Sequence, residues 1–342
     1  MMGTQHLVGV FGTLLLQVGL LSFQGSDLFM ATDMRPIRDI IYFNSSLWCA
    51  SEGGLLKFDP EEKTFEGWTK IDGLGGVGIR ALSRDEAGLW LLFDNRLVQR
   101  WVPGVGVTHT ISTLAQESGI SSLNFILVDT LRRIAFIATN RGLAKLVYLT
   151  RYDRWVWEEE YRRFGIGGWV DPVVRDVFLR EDTVWIATQY GIAKGSIGAV
   201  LINAQSWTIY TTEQGLPSND VIALTLFQDT LWAATSGGTA QWDGDAWRMK
   251  SPRTNIIRLY STPHRLWAVA RDGLLYWDVG WLRWGPLKPS LSSAVILTED
   301  KPVVGALRND ISPGGVALWE EEGWRHYLPS GPITNFARQI SV

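Results

Sequence analysis

Arginine is the residue type in this sequence whose placement could do chemistry. Between two apolar anchors the chain repeatedly sets a two-residue slot: Arg38-Asp39, Arg80-Ala81, Asn124-Phe125, Arg175-Asp176, Ile222-Ala223, Ile257-Arg258 and Thr334-Asn335. Four of these seven slots hold an arginine. A guanidinium stays charged and grips carboxylate or phosphate with paired N–H donors. Gathered around one opening, such residues would form a positive funnel for an anionic ligand, such as an acidic glycan or a peptide carboxylate. The plainer alternative pairs them with Asp39, Asp176 or polar backbone. Two nearby aromatics, Trp169 and Tyr190, offer flat faces on which a sugar can stack. With Arg271 from a neighbouring loop, the candidate ligand-binding residues are Arg38, Arg80, Asn124, Trp169, Arg175, Tyr190, Arg258 and Arg271.

An enzyme would need more than this. Acid–base chemistry at a glycosidic bond calls for two convergent carboxylates or a histidine with a partner. Asp39 and Asp176 are the only acids in the slots, each beside an arginine. No nucleophile-elbow, H-E-x-x-H, phosphate-binding glycine loop or EF-hand pattern occurs. His6, His109, His264 and His326 lack metal-ligand spacing, and the single Cys49 leaves no partner for an intrachain disulfide or a zinc cluster. No metal and no cofactor is expected. The glutamate runs at 158–160 and 320–322 read as solvated segments, and Asp243-Gly244-Asp245 reads as a hairpin turn. Asn44-Ser45-Ser46 matches a glycosylation sequon, although turn chemistry explains it equally. A formal charge of −3 provides no footprint for nucleic acid. The sequence therefore points to binding rather than catalysis, with a lyase or glycoside hydrolase as the alternative from another class.

The elements that must position these slots follow from a repeat. The clearest copy is Leu231-Trp232-Ala233-Ala234-Thr235-Ser236-Gly237-Gly238, with relatives beginning at Leu47, Val184 and Leu266. Weaker copies surround Trp90, Phe136 and Val303, so the anchors recur every 35 to 49 residues. Each anchor is preceded by a short apolar run containing a slot and followed by a Gly-turned strand and an aromatic strand. In a strand, side chains alternate with period two, so the Trp and the small residue two positions later share a face. A spacing of three between slot anchors is not the strand period, so a bulge or bend is implied there. Four antiparallel strands repeated at this period describe a blade, and the fold expected is an all-β β-propeller of seven four-stranded blades, with eight as the alternative. The repeat also accounts for a content of 18 Trp and 35 Gly.

The segment Tyr210-Thr211-Thr212-Glu213-Gln214-Gly215-Leu216-Pro217-Ser218-Asn219-Asp220-Val221, continuing to Leu231-Trp232-Ala233-Ala234-Thr235, resembles the two-component regulator propeller repeat. The likeness extends to the units around Trp48 and Trp185 and departs from the pattern around Trp90, where Arg96 stands near the expected Gly, and around Val303. It implies an extracytoplasmic propeller that senses ligands, often oligosaccharides. Kinase, receiver and DNA-binding segments of such systems are missing from the sequence. Similar propellers also serve as secreted or surface proteins, including parts of the type IX secretion apparatus. The resemblance thus implies a carbohydrate or protein ligand at the channel entrance, or a scaffold role in a surface assembly.

Two expectations concern the ends. Residues 7–23 form an uncharged apolar run, short for a bilayer span of ~20 residues, and residues 1–25 read as a cleaved secretory signal although MMGTQH lacks Lys and Arg. An uncleaved membrane anchor is the alternative, and residues 26–342 are then one propeller domain outside the cytoplasm. At the other end, residues 333–340 repeat the inner-strand pattern, which predicts a ring closed by joining the two ends.

Overall fold

The computed structural model describes residues 32–330 apart from 254, 287–290, 299–300, 310–311 and 322. The expectations for residues 1–25 and for the pattern at 333–340, including Thr334-Asn335, lie outside the described residues. Within them, seven four-stranded antiparallel sheets follow one another along the chain, each built from consecutive strands. We number them as blades 1 to 7, spanning 37–68, 79–111, 123–161, 174–210, 221–251, 256–283 and 291–327. The protein is a seven-bladed β-propeller.

The Trp-bearing second strand explains why the sheets stack. Ser46–Ser51, Leu89–Phe93 and Ile134–Thr139 are buried at every position, because a neighbouring blade covers each face. Trp48 and Ala50 pack against blade 2, in one cluster with Ile79, Leu82 and Phe93, whereas Leu47 and Cys49 face blade 7. The same division recurs at Trp232 and Ala234, which face blade 6, and at Leu231 and Ala233, which face blade 4. Large-small alternation therefore aims each indole at the next blade. Aromatic residues of the outer strands then cover the indoles: Trp48 lies 5.3 Å from Trp68, Trp90 4.9 Å from Trp155, and Trp232 5.0 Å from Trp277. This is the architectural use of the tryptophans, since each ring buries a large apolar area in a specific geometry.

Glycine is demanded where the third strand begins. Gly191 and Gly238 both have φ of +139°, and a Cβ would stand 2.2 Å from the Tyr210 carbonyl oxygen or 2.4 Å from that of Ser251. Just upstream, the buried hydroxyls of Thr188 and Thr235 each donate to the carbonyl of the glycine three residues on, at 2.9 Å. The Thr-x-x-Gly spacing thus fixes the loops that rim one end of the ring.

Two departures from the repeat have physical causes. The widest anchor spacing, between Phe136 and Trp185, accommodates an extra hairpin, Arg163–Phe164 with Trp169–Val170, whose Phe164 packs on Trp207 at 4.8 Å. The seventh inner strand among the described residues is Leu291–Thr298, so Ser292-Ser293 fills its slot. A second register shift between Ile296 and Thr298 lengthens that strand by one residue and sets its spacing apart from that of the other units. Among the described residues blades 7 and 1 meet mainly through side chains, with one backbone bond from Gly315 N to the Arg35 carbonyl. Phe58 lies 5.4 Å from Tyr327, Lys63 pairs with Glu320, and Arg308 pairs with Asp33 at 3.1 Å. Gly305 leaves room for Ile37, whose methyl would stand 2.7 Å from a Cβ there.

Candidate functional site

Every inner strand slips register at its slot: at Ile37/Asp39, Ile79/Ala81, Val174/Asp176, Val221/Ala223, Ile256/Arg258 and Leu291/Ser293, and in blade 3 opposite Ala138/Thr139. This is the bulge that the spacing of three implies. An extra residue locally re-aims the side chains of the bulged strand. As a result, the first slot members, Arg38, Arg80, Asn124, Arg175, Ile222, Ile257 and Ser292, all line one cavity of about 1080 Å³. A smaller cavity of about 370 Å³ includes Asp39, Leu82 and Ala294 in its lining. Phe125, Arg258 and Tyr260 line both, and so form the floor between them.

The acidic second slot members, Asp39 and Asp176, act as inter-blade staples. Asp39 accepts from its neighbour Ile40 N at 3.0 Å and from Leu82 N of blade 2 at 2.9 Å. Asp176 does the same with Val177 N at 2.9 Å and Leu224 N of blade 5 at 2.8 Å. First members also reach across: Asn124 donates to the Val174 carbonyl at 2.7 Å, Arg175 to that of Val221 at 3.2 Å, and Ser292 to that of Ile37. Each target carbonyl belongs to the first residue of the next blade's bulge. The bulges therefore interlock the strands around the channel.

Charge in the cavity is largely compensated. Arg38 pairs with Asp94 at 2.6 Å and Glu52 at 3.2 Å, and Arg175 pairs with Asp220. Arg258 lies 3.8 Å from Asp39. Burial works against its charge, but Asp39, Tyr260 and Asp176 outweigh that penalty and hold the guanidinium protonated. Beside it, the Ser293 hydroxyl donates to Asp39 at 2.7 Å and meets the Tyr260 hydroxyl at 2.9 Å. Burial also raises the Tyr260 phenol above its ordinary range. Asp176 is different: desolvation pushes its carboxyl up to about 6, with the two N–H bonds and Arg258 only partly offsetting it. Arg80 is exposed at the mouth and makes no hydrogen bond or ion pair among the described residues.

The arrangement sorts the sequence candidates. Arg38, Arg80, Asn124, Arg175 and Arg258 come together around the cavity. Trp169 and Tyr190 form a tilted pair 6.2 Å apart, with Trp169 over Gly191, beside the cavity lining rather than in it. Arg271 is exposed in the blade 6 loop and also lies outside that lining. Other loop residues serve the loops: Asn95 donates to Gly75 O at 2.9 Å, Arg141 pairs with Glu160 at 2.9 Å, and Asp272 holds both Arg253 and Arg283. Sequence reasoning missed Tyr260 and Ser292-Ser293. The Leu291-x-x-Ala294 spacing carries the slot signal, but small residues occupy it. Among the described residues no cluster of three metal-ligating side chains occurs, and no helix is long and apolar enough to cross a membrane.

Fold and cavity together define a seven-bladed propeller with a ligand-sized recess at one end of its channel. No protein family and no curated protein matches the sequence. Among solved structures, the chain is similar to PorZ of Porphyromonas gingivalis, an essential bacterial surface component of the type IX secretion system. The TM-score is 0.67 at 15% identity, over 90% of this chain and 40% of PorZ. It is also similar to the extracellular domain of the hybrid two-component system BT3049 of B. thetaiotaomicron, with a TM-score of 0.62 at 16% identity, over 84% of this chain and 40% of that one. The computationally designed Ika8 protein matches with a TM-score of 0.55 at 13% identity, over 85% of this chain and 86% of the design. The chain thus spans about 40% of the length of the two natural neighbours. These likenesses show the fold, and a neighbour from a two-component system is consistent with the two-component regulator propeller repeat.

Proposed function

We propose that this protein is an extracytoplasmic, non-catalytic propeller that binds a carbohydrate or protein ligand at the bulge-lined cavity. One observation carries the reading. Seven bulges aim their first slot members into a single recess, and among the described residues Arg80 is the cation there without a compensating partner. The other arginines of the lining are each paired with a carboxylate, so a ligand meets a preorganised wall with one available guanidinium. An anionic group on the ligand would take Arg80, while Ile222 and Ile257 supply an apolar wall. Against a hydrolase, both oxygens of Asp39 and of Asp176 already accept backbone N–H groups. A glycan-array screen combined with thermal-shift measurements tests the proposal. Ligands that raise the melting temperature of the wild type but not of Arg80→Ala support it, and turnover of a bound glycan overturns the non-catalytic part.

The second reading is a structural module of a surface assembly, favoured by the overlap with PorZ over 90% of this chain. It gains if neither screen yields a ligand while the chain co-purifies in a defined complex.

A further inference from the structure

The end of the ring opposite the cavity mouth is chemically divided, and the division follows the blades. In blade 3, the two turns at that end carry Arg132, Arg133, Arg151 and Arg154 against Asp129 and Asp153. The corresponding turns of blades 1, 5 and 7 are acidic, with Asp59, Glu61, Asp229, Asp243, Glu320 and Glu321. Arg132 is consumed structurally, bridging Asp129 at 2.6 Å and Asp182 of blade 4 at 2.7 Å. The other three have no carboxylate partner among the described residues. Arg133 donates to the Thr150 hydroxyl at 2.6 Å, and the guanidinium groups of Arg151 and Arg154 lie 5.6 and 5.3 Å from the Tyr152 ring.

Apolar side chains protrude from the same corner. Leu131 is 88% exposed at the tip of the turn that also holds Arg132 and Arg133. Ile166 is 86% exposed at the tip of the extra hairpin, and the bond from Gly165 N to Ala204 O at 2.9 Å sets that tip beside the 197–206 loop of blade 4. That loop presents Val200 and Ile202, each more than half exposed, as is Tyr152. The Arg132–Asp182 bridge joins the two blades' turns into one surface. Aliphatic tips protruding among uncompensated arginines are costly to leave in water and have two complementary demands: an apolar layer to enter and a negative charge just above it.

We propose that this corner of blades 3 and 4 docks on an anionic lipid surface, with the arginines at the headgroups and the aliphatic tips in the acyl boundary. The choice of lipid over a soluble polyanion rests on the tips, which a polyanion alone would leave exposed. Docked in this way, the cavity mouth faces away from the membrane, into the aqueous phase.

Vesicle flotation of the full chain tests the proposal, using phosphatidylcholine vesicles with and without about a third phosphatidylglycerol. The wild type is expected to partition onto the anionic vesicles at least about tenfold better, with the preference shrinking as salt rises. The variant Arg133→Glu/Arg151→Glu/Arg154→Glu should lose at least about tenfold of that partitioning. A second variant, Leu131→Ser/Ile166→Ser, should lose severalfold while keeping its salt dependence. All of these positions are exposed, so unchanged melting temperatures are expected and confirm folding. Variants that float like the wild type overturn the proposal, because the apolar run at 7–23 then accounts for binding. Retention on dextran sulfate without flotation on either vesicle overturns it in favour of a soluble polyanion.

Discussion

Asp39 and Asp176 occupy the same position in blades 1 and 4, on the same bulge, with the same pair of backbone N–H donors from their own strand and the next. Their surroundings differ. Asp39 is buried and adds the Ser293 hydroxyl and the Arg258 guanidinium. Asp176 lines the mouth cavity, has no ion pair within contact distance among the described residues, and is held near the middle of its titration at mildly acidic pH. In blades 1 and 4 the slot acid therefore locks one blade to the next, and the two acids differ in the further partners that the ring brings to them.

The contrast breaks most sharply at Asp39. Asp39→Ala removes both staple bonds and strands Arg258 in the floor, so a loss of about 3–5 kcal/mol in unfolding free energy is expected from denaturant titration. Asp176→Ala should cost only about 1–2 kcal/mol, because it removes the two staple bonds without stranding a charge paired to the carboxylate. Equal losses would mean that the further partners of Asp39 contribute nothing.

The next effect is one of pH. The folded-state pKa of Asp176, about 6, lies above the ordinary aspartate value of about 3.9, so folding favours its protonated form. Stability from this group is fully present below the ordinary value and is lost as pH rises through about 6. The stability gap should therefore move in favour of Asp176→Asn by up to about 3 kcal/mol between about pH 4 and 7. A gap independent of pH would show that burial does not disfavour the charged form of Asp176.

Smaller effects sharpen the same distinction. Ser293→Ala takes one partner from both Asp39 and Tyr260 and should cost about 1–2 kcal/mol by thermal unfolding. Arg80→Ala touches neither staple and should leave stability within about 0.5 kcal/mol, while altering any ligand affinity measured by titration calorimetry. A large stability loss at Arg80 would show that it too is structural.

Much of this was legible in the sequence. The Trp-to-small alternation carried the blade count, because burial on both faces constrains those residues in every copy. Likewise, the three-residue gap between Ile37 and Ile40 carried the bulge, since no regular strand accommodates it. Which acid each arginine meets was not legible. Arg38 is matched to Asp94 and Glu52 across blades 1 and 2 rather than to its neighbour Asp39, and only the ring geometry brings those loops together. The floor was equally hidden, since Tyr260 and Ser293 meet across two blades in a seventh unit whose second bulge disguises its register.

Closure of the ring by side chains has a consequence for how the chain folds. Among the described residues every sheet is assembled from strands adjacent in sequence, so each blade can form through short-range contacts. The contact from Ser292 to Ile37, by contrast, spans 255 residues. Loop-closure entropy rises only logarithmically with chain length, so joining preformed blades costs little more than joining a much shorter loop. The longest-range contacts are then concentrated at one seam, so the joining of blades 7 and 1 is expected to follow the formation of the blades themselves.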